Sequence, residues 1–281
     1  MLAPHAPRSF ATASPTFTSP IKEFGYYWIS PHHMVDAFYV DSLEIWMNSE
    51  HKNTPLQYAN CLYVGGEAVS GDYVFPETCT RIANNAFANY KALKNITLHS
   101  GIEYIGNYAF SGTGIENVYV DSLETWLTIC DNIYTTNGQA AALANPMNYA
   151  ENLYVAGELL VDLVIPESVT RIPAYGLFNI KTIESVTLHS GIEHIGDYAF
   201  LRTSIENVYV DSLETWLKIC DNIYTSNEIV TQVANPMHYA KNLYVAGELL
   251  VDLVIPENIT EIPKYAFYNV KTMKSLTLHS N

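Results

Sequence analysis

One string recurs three times in this chain: "FYVDSLEIWM" at 38–47, "IENVYVDSLETWL" at 115–127 and again at 205–217. A chain that repeats itself at a fixed long interval folds as stacked copies of one small unit, and that restricts the available architectures more than any composition does. Tyr119 and Tyr209 are about 90 residues apart, and "LHS" at 98–100, 188–190 and 278–280 keeps the same step. From Tyr39 to Tyr119 the step is about 80, because the stretch between Trp46 and Pro55 lacks roughly 11 residues found between Trp126 and Pro146.

A shorter period lies inside the long one. "LVIPESVTRIPAYGLF" at 163–178 overlays "VTLHSGIEHIGDYAF" at 186–200 with an offset of about 23, and "VTLHS" overlays "VYVDS" with about 22. A period in this range with one short apolar strand per turn predicts an α/β repeat, a leucine-rich-repeat solenoid with strands on one face and helical insertions on the other. Ile183, Val186 and Leu188, like Ile205, Val208 and Val210, take inward positions of such strands. "DSLETWLKIC" reads as an inserted helix, with Asp211 as N-cap, Glu214 in capping-box spacing and Leu213, Trp216, Leu217 and Cys220 on one apolar face. By the same reading Asp41 and Asp121 are caps, and Trp126 and Trp216 are core anchors.

These residues resemble a known family. "NPMHYAKNLYVAGELLVDLVIPENITEIPKYAF" at 235–267, "IPESVTRIPAYGLF" and "GIEHIGDYAF" are similar to the leucine-rich repeats of BspA-like surface proteins, over about residues 36–281. The resemblance implies an extracellular or cell-surface module for adhesion or recognition of protein or cell-surface ligands. It names no ligand.

Residues 36–281 are accordingly expected to form about three long units. The chain stops after a strand, "KSLTLHSN", with no counterpart of the "GIEHIGDYAF" that follows the earlier copy, so truncation at the C-terminus and end-to-end self-association through that open edge are expected. Residues 1–35 are rich in Ala, Pro, Ser and Thr and read as a flexible segment that would at most cap the first repeat. They lack the apolar run of a secretory signal, and no stretch of the chain is long and apolar enough for a membrane span.

Charge narrows the partners. Asp and Glu outnumber Lys and Arg 29 to 14, a formal charge of −15 over 281 residues, and no basic run occurs. Nucleic acid is therefore not an expected partner. No phosphate-cradling glycine loop, C-x-x-C or G-x-S-x-G is present, so neither cofactor, metal nor catalytic activity is expected. Cys130 and Cys220 share one repeated position and read as buried helix thiols. His99, His189 and His279, one per long unit, stand too far apart to share a metal and read as turn residues. Gly157-Glu158 and Gly247-Glu248 read as hairpin turns.

What remains for function is the outward row of the strands: Tyr39, Thr97, Tyr119, Thr187, Tyr209 and Thr277, with Val74, Val164 and Val254. Tyr63, Tyr154 and Tyr244 join it if "LYV" is not turned antiparallel by its hairpin. Tyrosine offers contact area and a hydrogen-bonding tip at little entropic cost, so Tyr39, Thr97, Tyr119, Tyr154, Thr187, Tyr209 and Tyr244 are the candidate ligand contacts. Two other readings stay open: a spacer array whose tyrosines merely stack, and a glycan-binding face, for which no Asn or acidic cluster in motif spacing argues.

Overall fold

The computed structural model describes residues 19–20, 35–49, 51–52, 54–223 and 228–279. The expected N-terminal segment lies outside the described residues apart from Ser19, Pro20 and Val35.

In the middle of the chain the strands Asp162–Val164, Ser185–Leu188, Asn207–Val210 and Asn242–Val245 pair side by side in parallel. A two-residue strand, Glu248–Leu249, then folds back antiparallel on the last of them. The same order is built upstream by Gly71–Val74, Leu93–Thr97, Asn117–Val120, Asn152–Val155 and Glu158–Leu159. Toward the N-terminus Val35–Val40 pairs with Ala59–Val64 and its hairpin strand Glu67–Ala68, and toward the C-terminus Asp252–Val254 pairs with Ser275–Thr277. Parallel neighbours require a crossover, which the turns and helices between strands supply.

Alternation along each strand buries one set of side chains. Leu163, Val186, Val208 and Leu243 are register partners and are all fully buried, as are Ile96, Val118 and Leu153 upstream. A second pair of short ladders, Arg81–Ile82 with Tyr104–Ile105 and Arg171–Ile172 with His194–Ile195, adds Ile82, Ile105, Ile172 and Ile195 to the same continuous core. The coils approach closely here, leaving no room for a Cβ at Gly106 or Gly196. Gly106 and Gly196 donate their backbone N–H to Ile82 and Ile172 carbonyls at 2.8 and 2.9 Å.

The hairpins turn one residue earlier than expected, at Ala156-Gly157 and Ala246-Gly247, so that Glu158 and Glu248 begin the return strands. Ala156 and Gly157 have φ of 52° and 85°, Ala246 and Gly247 53° and 83°, and Gly65 and Gly66 58° and 90°. Positive φ at both central residues is the two-residue turn whose twist suits antiparallel strands.

The inserted helices run Leu43–Met47, Leu123–Asn137 and Leu213–Asp221, with a further helix Glu228–Ala234. The short first step of the repeat is thus a helix cut from 15 residues to 5. Leu213, Trp216, Leu217 and Cys220 form the buried face. The indoles of Trp46, Trp126 and Trp216 are fully buried and each donates its Nε1–H to a distant backbone carbonyl: Trp46 to Ala86 at 3.1 Å, Trp126 to Gly176 at 2.7 Å and Trp216 to Ala266 at 2.8 Å.

The caps differ from the expectation. Ser42, Ser122 and Ser212, not Asp41, Asp121 and Asp211, occupy the N-cap, and Ser212 Oγ accepts the Thr215 N–H at 3.1 Å. Both residue types cap well, so the choice falls to which one leaves the strand at the extended N-cap geometry. The aspartates are left exposed and Glu214 sits in the first turn, where the helix dipole favours it. Ser212→Ala should therefore destabilise by about 1 kcal/mol. Asp211→Ala should stay within about 0.5 kcal/mol, and chemical denaturation of the two variants side by side checks the assignment.

Candidate functional site: the outward row of the strands

The outward row follows from register. Val164, Thr187, Tyr209, Tyr244 and Leu249 are successive partners across one sheet, and Val74, Thr97, Tyr119, Tyr154 and Leu159 across the other. Tyr39 and Tyr63 pair in the N-terminal sheet, and Val254 and Thr277 at the other end. Val74, Val164 and Val254 are 65%, 62% and 53% exposed, which places this row outside the core.

"LYV" turns out to be both things at once: Asn152–Val155 and Asn242–Val245 run parallel to the preceding strand and antiparallel to the hairpin strand that follows. Tyr63, Tyr154 and Tyr244 therefore do join the row. Because neighbouring strands lie about 4.8 Å apart, in-register tyrosines are brought to stacking distance. Tyr39 and Tyr63 stack with ring centroids 4.9 Å apart, Tyr119 and Tyr154 at 4.7 Å, and Tyr209 and Tyr244 at 4.6 Å, with planes within 14–21° of parallel. All seven candidate residues thus take outward positions in their three sheets, and six tyrosines at these positions form three pairs. Stacking turns one ring face of each tyrosine toward its partner and leaves ring edges and hydroxyls for a visitor.

A second outward row was not anticipated. Two residues before Tyr119, Tyr154, Tyr209, Tyr244 and Thr97 stand asparagines, and they hydrogen-bond from strand to strand: Asn152 Nδ2 donates to Asn117 Oδ1 at 2.9 Å, Asn117 to Asn95 at 2.7 Å, and Asn95 to the carboxylate of Asp72. In the next unit Asn242 donates to Asn207 at 2.8 Å and Ser185 Oγ to Asp162 at 2.6 Å. An asparagine cluster lies here although none stands in motif spacing. Its members come from strands 22 to 35 residues apart, so no local motif spacing shows them. The signal available was the Asn at position −2 of Tyr119, Tyr154, Tyr209 and Tyr244.

The histidines serve the turns. His189 is buried, accepts the Gly191 N–H on Nδ1 at 3.1 Å, and its Nε2 lies 3.1 Å from the Val169 carbonyl, while Glu167 stands beside it at 3.1 Å. His99 repeats this arrangement with Gly101 and Glu77, whereas His279 is exposed. Asn145 and Asn235, also missed from sequence, are buried caps that bond Met147 and Met237 N–H at 2.9 Å each. Burial pushes the Cys130 and Cys220 thiols well above their ordinary range, which keeps them protonated and unreactive. Among the described residues no group of three or more His, Cys, Asp or Glu is placed to hold a metal ion, and no helix is long and apolar enough to cross a membrane.

Parallel strands in a 22- to 23-residue register, buried at alternate positions and joined by turns and inserted helices, define a leucine-rich repeat protein. The BspA type leucine rich repeat region matches residues 70–152 and 150–274 in six copies, and the chain belongs to that family. A leucine-rich repeat protein from Eubacterium ventriosum is 14% identical over 86% of this chain and 78% of its own, with a TM-score of 0.33. A leucine rich cell surface protein from Faecalibacterium prausnitzii is also 14% identical, over 86% of this chain and 66% of its own, with a TM-score of 0.31. No curated protein matches the chain.

Proposed function

We propose that this chain is a non-catalytic recognition or adhesion module of a surface protein, a solenoid that binds protein or cell-surface ligands through the outward row of its strands. The observation that supports this is the threefold recurrence of an outward tyrosine pair, Tyr39/Tyr63, Tyr119/Tyr154 and Tyr209/Tyr244, at one register position. Thr97 and Thr187 stand beside the pairs in the same register. Nothing in the packing demands these rings, since the core is complete on the opposite side of each strand. Large, rigid amphipathic side chains on an exposed row are what protein-binding surfaces accumulate.

The competing reading, a spacer whose tyrosines only brace neighbouring strands, is favoured by the close stacking itself, since cross-strand aromatic pairs contribute roughly 0.2–1 kcal/mol each. Tyr119→Ser with Tyr209→Ser separates the two. The double variant should lose binding to host-matrix and cell-surface proteins in a solid-phase screen while its unfolding midpoint moves by only a few degrees. Full binding by the variant ends the strand-face reading, and a large loss of stability supports the spacer.

A further inference from the structure

We propose that the partner of this face is cationic: a protein segment that presents arginine and lysine side chains to the strand row. This rests on the strand-face reading above and adds the chemistry of the ligand.

The inference starts from how the face spends its hydrogen bonds. The asparagine amides donate along the ladder, and Ser185 and Ser275 hydroxyls donate to Asp162 and Asp252. These bonds use one N–H of each donating amide and both serine hydroxyls, while each carboxylate offers about four lone-pair sites and no donor at all. Asp72, Asp162 and Asp252 stand in register with the ladder, two residues before the exposed valines. On the other margin Asp41, Asp121 and Asp211, released from the capping role expected of them, are exposed two residues past Tyr39, Tyr119 and Tyr209.

Three lysines stand at the foot of the strands, Lys94, Lys241 and Lys274, too few to offset this field. Lys94 lies 3.8 Å from Glu116 and Lys241 2.5 Å from Glu206, so both are already matched to a carboxylate. The result is an aromatic and aliphatic stripe with acceptor-rich, negative margins, repeated with each long unit. Arginine, with five donors and no acceptor and an apolar stem, complements such a surface, and lysine does so with three donors. Polyanions and acidic proteins are repelled by it.

The test uses the full chain and two synthetic peptides of equal length, one alternating Arg and Ser and one alternating Glu and Ser, with a neutral glucan oligosaccharide as third probe. The Arg peptide should bind, more weakly as salt rises, and the Glu peptide should not. Asp121→Asn with Asp211→Asn should weaken Arg-peptide binding about tenfold. Glu103→Gln with Glu193→Gln removes the same charge from exposed positions at the separate two-stranded ladders and should leave binding unchanged. Equal losses in the two double variants would show unspecific attraction to an acidic chain and overturn the proposal. Binding of the glucan and not the Arg peptide, abolished by Tyr119→Ser with Tyr209→Ser, would also overturn it while leaving strand-face recognition standing. Arg-peptide binding that needs the aspartates and ignores the tyrosines would keep the cationic partner and remove the tyrosine row from recognition.

Discussion

Trp216→Ala is expected to destabilise the protein by about 3–5 kcal/mol, the cost of emptying a fully buried indole site. Two effects combine there. The indole is 0% exposed among Leu213, Leu217 and Cys220 of its helix, and its Nε1–H is the hydrogen bond that reaches the Ala266 carbonyl at 2.8 Å. Truncation leaves a cavity and a buried carbonyl with its partner gone. Trp216→Phe separates the two, since it restores most of the volume without the donor and should recover more than half of the loss. Urea unfolding followed by circular dichroism measures both, and Trp126→Ala, whose indole reaches Gly176 at 2.7 Å, should behave alike. A loss under about 1 kcal/mol would mean the helix does not pack as described.

Gly196→Ala should be nearly as damaging although it adds a single methyl group. A Cβ at Gly196 would lie 2.5 Å from the Ala174 nitrogen and 2.9 Å from its Cα, and at Gly106 it would lie 2.4 Å from the Asn84 nitrogen. These are backbone atoms, so no side chain can swing aside, and the coils must separate where Gly196 N bonds Ile172 O at 2.9 Å. Overpacking of this kind costs about 1–3 kcal/mol, and rigid backbone on both sides puts the expected loss at the upper end. Gly157→Ala is the contrast: open space surrounds its Cβ position, and only its φ of +85° opposes the change. Hydrogen exchange at Ile172 through Gly196 should accelerate in Gly196→Ala and stay near wild type in Gly157→Ala.

Periodicity carried most of the fold. The inward positions Ile183, Val186, Leu188, Ile205, Val208 and Val210 are all buried, and the helix face of Leu213, Trp216, Leu217 and Cys220 is as expected. These are legible because burial at alternate strand positions and at helical spacing is a local property of the chain. The tyrosine row was legible for the same reason, while its pairing was not, because stacking of Tyr119 on Tyr154 depends on which strand lies next in space, and the sequence of "LYV" is equally compatible with an antiparallel edge. The asparagine ladder escaped because its bonds join residues of different coils. The helix caps were misassigned between adjacent Asp and Ser, two residue types with nearly equal capping strength, so that only backbone geometry decides.

The tryptophan bonds bear on how such a chain can change its length. Trp126 reaches forward 50 residues to Gly176 and Trp216 reaches forward 50 residues to Ala266, so two successive junctions are made by the same donor in the same place. Trp46 makes its bond to Ala86 across 40 residues, with the intervening helix cut short, so the junction tolerates loss of material between its two ends. A unit copied or excised whole by recombination between the identical "IENVYVDSLETWL" stretches would bring with it both halves of a junction that already fits its neighbours. Nearest-neighbour stacking then lets the array grow or shrink by whole units with no new contact to invent. Interchangeability of this kind makes the number of tyrosine pairs displayed a quantity that gene duplication can adjust in single steps.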